Sequence, residues 1–163
     1  LFSAQLAAER GLPYAFASHF APRYLLQAID LYRHNFKPSA QLAKPYVVVG
    51  VPFIGAPTDE EAQYLASSTY QRVLGILTGR RGQLPAPMEG FMERIDPQAK
   101  AAIADFLACA VVGSEEAARA GFEQLAEATN ADEFMIVSDV FDPALRLRSL
   151  DVAAAAMGET AMA

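Results

Sequence analysis

Residues 46–53 read YVVVGVPF, and this run narrows the possible folds more than any other stretch of the chain. It is almost wholly β-branched or aromatic, which suits the pleated surface of a strand. It lacks the polar alternation of a half-solvated antiparallel strand. A strand in a parallel sheet, covered on both faces, is therefore expected. Parallel strands need long crossovers, usually helical. The next residues supply one: Thr58–Glu61, TDEE, is a capping box, and the helix it starts runs to about Leu77 before Gly79.

The same alternation extends along the chain. Ser3 to Arg10 reads as a helix with Ser3 at its N-cap and Gly11 at its stop. Residues 12–18, LPYAFAS, read as a short buried strand. Pro22 opens a second helix whose Leu25, Ala28, Ile29 and Tyr32 share a face, and Pro38 bars its continuation. Residues 79–92, GRRGQLPAPMEGFM, read as a long loop of the kind that often carries function. Asp96–Pro97 caps a helix to about Ala108, and CAVVGS is a brief apolar piece. Ser114 starts the next helix, with Glu115 and Glu116 in its first turn where the helix dipole favours acids. Residues 133–140, EFMIVSDV, are the last strand, and Asp142–Pro143 begins a final helix that fades into an Ala-rich tail. The expected architecture is α/β with right-handed crossovers, in one domain over 1–163. A closed parallel barrel needs eight strands and roughly 250 residues, so this chain suffices for about half of one.

Composition bounds the partners. Hydrophobic residues make up 53% and charged residues 20%, enough for a real core. A net charge of −6, with only Arg80–Arg81 as a basic pair, argues against nucleic-acid or anionic-membrane surfaces. The longest apolar run is too short to span a bilayer and is broken by Pro52 and Gly55. Cys109 is the only cysteine, which excludes an internal disulfide and a CxxC metal site and suits a reducing, cytoplasmic setting. No metal site is expected. The chain opens on Leu1 and reads as a piece of something larger or a processed chain.

Ligands of parallel α/β folds gather at the carboxyl ends of strands. Those ends are Ala17–Ser18–His19, Phe53–Ile54–Gly55 and Ser138–Asp139. His19 suits cofactor orientation or proton movement, but taken alone it is better read as a hydrogen-bonded strand-end histidine. Ser18 either approaches a ligand ring or closes the turn. Asp139 is read as structural, capping FDPALRLRS or pairing with Arg146 or Arg148. Ser114 is read as a plain cap because its glutamates would repel an anion. Ser3 has no acid beside it before Glu9, so the N–H groups and hydroxyl there suit a phosphate, with an ordinary cap as the alternative. His34 sits near a helix C-terminus and Cys109 is a small buried hydrophobe. GxGxxG, P-loop, HExxH and GxSxG signatures are absent.

Longer segments go further. FSAQLAAERGLPYAFASHFAP, YVVVGVPFIGAPTDEEAQYLASS, GILTGRRGQLPAPMEGF and VVGSEEAARAGFEQLAEATNADEFMIVSDVFDPALRLRSLDVAAAA together resemble the bacterial-luciferase-like flavin monooxygenases, over nearly the whole chain. The resemblance implies a partial TIM (β/α)8 barrel: its last three βα units, with an inserted loop and helix, and strands 12–18, 46–53 and 133–140. It implies FMN, reduced by a separate reductase, with molecular oxygen and a small organic substrate; coenzyme F420, used in some branches, is less favoured. It places Ser3 near the flavin phosphate and Ser18 and His19 beside the isoalloxazine, with the substrate pocket near loop 79–92. The family's first five strands have no counterpart here. The chain is thus expected to work only in a completed barrel, as a homodimer or with an N-terminal half. The alternatives are a non-catalytic incomplete barrel that binds flavin as a dimer, and a truncation product without its own function.

Overall fold

The computed structural model of the chain describes residues 1–19 and 22–158. The elements follow in the order α1 (Phe2–Arg10), β1 (Tyr14–Phe16), a 3-10 turn (Pro22–Tyr24), α2 (Leu25–Asn35), β2 (Val47–Gly55), α3 (Asp59–Leu77) and α4 (Phe91–Arg94). They continue with α5 (Pro97–Phe106), β3 (Val111–Gly113), α6 (Glu115–Thr129), β4 (Glu133–Val137) and α7 (Pro143–Met157). Residues 159–163 of the Ala-rich tail lie outside the described residues.

β2 is the spine of a four-stranded sheet whose pairings are all parallel. Tyr14–Phe16 pair with Val47–Val49, Glu133–Val137 with Val48–Pro52, and Val111–Gly113 with Phe53–Gly55. The apolar piece CAVVGS therefore holds a fourth strand. Its shortness hides it from pattern reading, and what makes it a strand is the far end of β2. The outer strands are shorter than expected. Pro13 has no N–H to give a ladder, and Ser18 N–H turns back to Phe16 O at 3.0 Å, which ends β1.

Val47, Val49, Val51 and Phe53 project to one side of β2 and are fully buried. They meet Ala4 and Ala8 of α1, Ile29 and Tyr32 of α2, Phe122 of α6 and Ala153 of α7. Rings stack through this layer: Phe53 on Phe122 at 5.4 Å and Phe122 on Phe134 at 6.0 Å. The opposite face is different. Val48 and Pro52 are only half-buried, Met135 is 57% exposed, and Gly50 is covered by His19. The expectation of cover on both faces is met in part: on this second face Ile54 is buried in a cluster with Ala62, Leu65 and Ala66 of α3, while Val48 and Pro52 stay half-buried. β-branched residues report fit to a pleat, and that fit is the same whether or not a second layer follows.

Local signals act as read at most ends. Thr58, Asp96, Ser114 and Asp142 accept backbone N–H groups at the starts of α3, α5, α6 and α7. Gly11 takes the left-handed conformation (φ 61°), and the N–H groups of Gly11 and Leu12 close a Schellman stop on Ala8 O and Ala7 O. Ser3 is a correction. Leu1 occupies the N-cap without a side-chain bond, and Ser3 sits in the first turn, exposed. The apolar periodicity of α1, with Ala4 and Ala8 buried, moves the N-cap two residues ahead of the hydroxyl, to Leu1.

Candidate functional site

Three segments converge at the carboxyl end of the sheet. The β1 end delivers Ser18 and His19. Ser18 is buried, and its hydroxyl donates to the carbonyl of Gly50 in β2. The same hydroxyl reaches the Cys109 thiol; burial raises that thiol's pKa, and the Ser18 bond offsets part of the rise. Ser18 thereby ties the β1 turn to both β2 and the segment before β3. The next residue, His19, lies over Gly50, where a Cβ would stand 3.0 Å from Nδ1. A glycine inside a β-branched strand often marks such a close approach. That was the legible signal for this seat.

The last strand delivers Asp139. Its partner is Arg72 of α3, in an ion pair, and Thr69 Oγ1 donates to its backbone carbonyl at 3.3 Å. Thr69 and Arg72 are one turn apart on one face of α3. The expected partners are otherwise engaged: Arg146 donates to Val140 O, Arg148 pairs with Glu61, and Asp142 caps α7. Nothing local distinguishes these arginines from Arg72, which comes close only through the crossover. The available clue is the stripe Leu65, Thr69, Arg72 and Ile76, an apolar helix face interrupted by a guanidinium.

A cavity of 190 Å³ opens between these groups. His19, Pro52, Val137 and Asp139 line it from the strands, and Thr69, Arg72, Ile76, Phe106 and Leu107 from α3 and the end of α5. Next to it lies a cleft of 710 Å³ that shares Arg72, Ile76 and Phe106 and is edged by loop residues Arg80–Gln83 and Pro85. The long loop thus edges the cleft beside the strand-end cavity and does not line the cavity itself. Ser3 is not part of this cluster. Its hydroxyl makes no hydrogen bond among the described residues. α1 leads through Gly11 into the start of β1, so its N-terminus points back toward the carboxyl end of the sheet. Ser114 is a plain cap, accepting from Ala117 N–H at 3.5 Å. His34 lies in the last turn of α2, and Cys109 is buried.

Among the described residues, no group of three or more His, Cys, Asp or Glu could hold a metal, and no helix is long and apolar enough to cross a membrane.

Comparison with known proteins gives the family and agrees with the fold. The chain is 44% identical over 153 residues to YvbT of Bacillus subtilis (strain 168), covering 94% of this chain and 46% of that protein. It is 42% identical over 153 residues to a luciferase-like monooxygenase of Escherichia coli (strain K12), with the same coverages. The crystal structure of apo-MsnO8 superposes with a TM-score of 0.82 at 31% identity, covering 95% of this chain and 47% of that one. The chain spans about half the length of the curated relatives it matches. Its sheet and helices are accordingly a partial (β/α)8 barrel. Residues 2–132 match the family described as luciferase-like monooxygenase, and the chain belongs to that family.

Proposed function

We propose that this chain forms the carboxyl-terminal part of an FMN-dependent monooxygenase, and that the 190 Å³ cavity is the part of the flavin and substrate site that it contributes. The observation that carries the reading is His19, from the end of β1, seated on the side-chain-free Gly50 of β2, in a chain whose residues 2–132 match the family. A more distant structural neighbour, the oxygenating constituent of 3,6-diketocamphane monooxygenase from Pseudomonas putida, was solved in complex with FMN.

The residues present fit a flavin. An imidazole at the cavity edge offers a hydrogen bond to a heteroaromatic ring and a site to hold or release a proton. Ser18 supports it from below, because its buried hydroxyl holds the turn that carries His19. Pro52, Val137, Ile76, Phe106 and Leu107 keep water from the reacting groups. At the N-terminus of α1, N–H groups without a side-chain cap among the described residues and the exposed Ser3 hydroxyl suit the flavin phosphate. Reduced FMN, delivered by a separate reductase, supplies the electrons with which oxygen is activated toward a small organic substrate. F420 is the lesser candidate. A cytoplasmic site of action suits the unoxidised, buried Cys109.

The open face of the sheet favours a second reading. With Met135 57% exposed and Val48 and Pro52 half-covered, the inner face calls for another polypeptide: an N-terminal barrel half or a second copy. A second copy would make a flavin-binding dimer without turnover.

Joining this chain to the remaining segment of the E. coli relative tests the proposal. The expected product binds reduced FMN and consumes oxygen in the presence of NAD(P)H and a flavin reductase. A folded chimera that does neither overturns it. Flavin binding by a dimer of the isolated chain, without oxygen consumption by the chimera, favours the second reading.

A further inference from the structure

The cleft beside the proposed flavin cavity carries a charge opposite to that of the whole chain. The molecule bears −6, yet Arg72, Arg80 and Arg81 all line the cleft, and among the described residues no carboxylate does. The arrangement is built. Arg80 N–H donates to Gly75 O at 2.6 Å, and a Cβ on Gly75 would meet Arg80 O at 2.7 Å, so the loop folds down onto a bare patch of α3. Arg80 and Arg81 are exposed and form no ion pair among the described residues. Arg72 gives one nitrogen to Asp139, but its Nε–H is buried and has no hydrogen-bond partner among the described residues. A guanidinium presents its donors as a planar fork that matches an oxyanion, and a buried unused donor is costly until something accepts from it.

We propose that this cleft is an anion subsite. It takes the carboxylate or sulfonate end of an amphiphilic substrate, whose apolar, reacting part enters the 190 Å³ cavity beside His19. Arg72, Ile76 and Phe106 line both spaces, so the guanidinium and two apolar side chains stand at their common border. The inference rests on reading the smaller cavity as the reaction site, and it adds the substrate class: an apolar body with one oxyanion end.

The test uses the chain labelled with nitrogen-15 and follows arginine Nε–H signals by NMR during titration with octanoate, octane sulfonate and octan-1-ol. Both anions are expected to shift the Arg72 signal and at least one of Arg80 and Arg81, and the alcohol to leave them in place. The exposed double variant Arg80→Gln/Arg81→Gln is expected to weaken octanoate binding by about tenfold or more, while Arg10→Gln leaves it unchanged. Circular dichroism confirms that the variants are folded. Equal binding of octanoate and octanol, or unchanged octanoate affinity in the double variant, overturns the subsite. An FMN titration of the same samples separates the two readings. Arginine-dependent octanoate binding by a chain blind to FMN keeps the subsite and counts against the cofactor. FMN binding with arginine-independent octanoate binding does the reverse.

Discussion

The imidazole of His19 occupies the space that any side chain at position 50 would claim: a Cβ on Gly50 would lie 3.0 Å from His19 Nδ1 and 3.3 Å from Cε1. Gly50 is the one residue without a side chain in the run from Val47 to Val51, and it stands where β2 passes beneath the β1 turn. Its absent side chain is what lets a strand end from a different part of the chain reach the inner face of the sheet.

Gly50→Ala is therefore expected to push His19 away and to cost about 1–3 kcal/mol, the usual range for overpacking a well-filled site. Urea unfolding measures the stability loss, and quenching of flavin fluorescence measures binding. Weaker FMN binding in both Gly50→Ala and His19→Ala is the expected pattern. Unchanged binding in His19→Ala would remove the histidine from the site.

Ser18→Ala removes a buried hydroxyl and leaves the Gly50 carbonyl without that partner, at a cost of about 1–3 kcal/mol. Cys109 reports on the same region. Its thiol pKa is raised by burial, so at neutral pH it stays protonated and unreactive. Ellman's reagent is expected to label the native chain slowly and the urea-unfolded chain at once. Faster labelling of native Ser18→Ala would show that the turn guards the thiol, whereas rapid labelling of the unsubstituted chain would contradict its burial.

Asp59 predicts a pH effect. Its carboxylate accepts the Ser114 N–H at 2.7 Å, joining the start of α3 to the start of α6, and this bond lowers its pKa. A carboxyl depressed in the folded state adds stability above its unfolded value of about 3.9, and that contribution is lost as pH falls through the lower folded value. Asp59→Asn is thus expected to flatten the acid limb of the stability curve below about pH 4 while changing its slope little near neutrality. Matching acid limbs in the two proteins would show that the bond does not contribute.

Gly11→Ala should destabilise through two independent causes. The residue would be held in the left-handed region at a cost of about 1–2 kcal/mol, and its Cβ would collide with Lys37 O, 2.5 Å away. Gly82→Ala is the control, since its Cβ meets nothing within 4 Å and its φ is not positive. Chemical denaturation should separate the two variants, and equal midpoints would mean that the stop of α1 is not needed for the fold.

Much of the architecture can be read locally. The capping box at Thr58–Glu61, the Asp–Pro starts at 96–97 and 142–143 and the glycine stop at 11 each act within one helical turn, and each stands where the sequence puts it. β3 is harder to see, because three residues carry no period and become a strand only by pairing with Phe53–Gly55. Ser3 shows the opposite failure. A good capping residue is displaced by the burial of Ala4 and Ala8, which starts the helix earlier.

By itself, the sequence determined the order of helices and strands, their parallel connection and the presence of polar groups at the strand ends, because propensity, capping and connection length act between near neighbours. Only the tertiary structure decided which polar groups meet. Asp139 takes Arg72, 67 positions away, in place of the nearer arginines. Ser18 takes Gly50, 32 positions away, and His19 rests on the same glycine. These choices depend on where two crossovers return the chain to the sheet, and no local pattern encodes that meeting point.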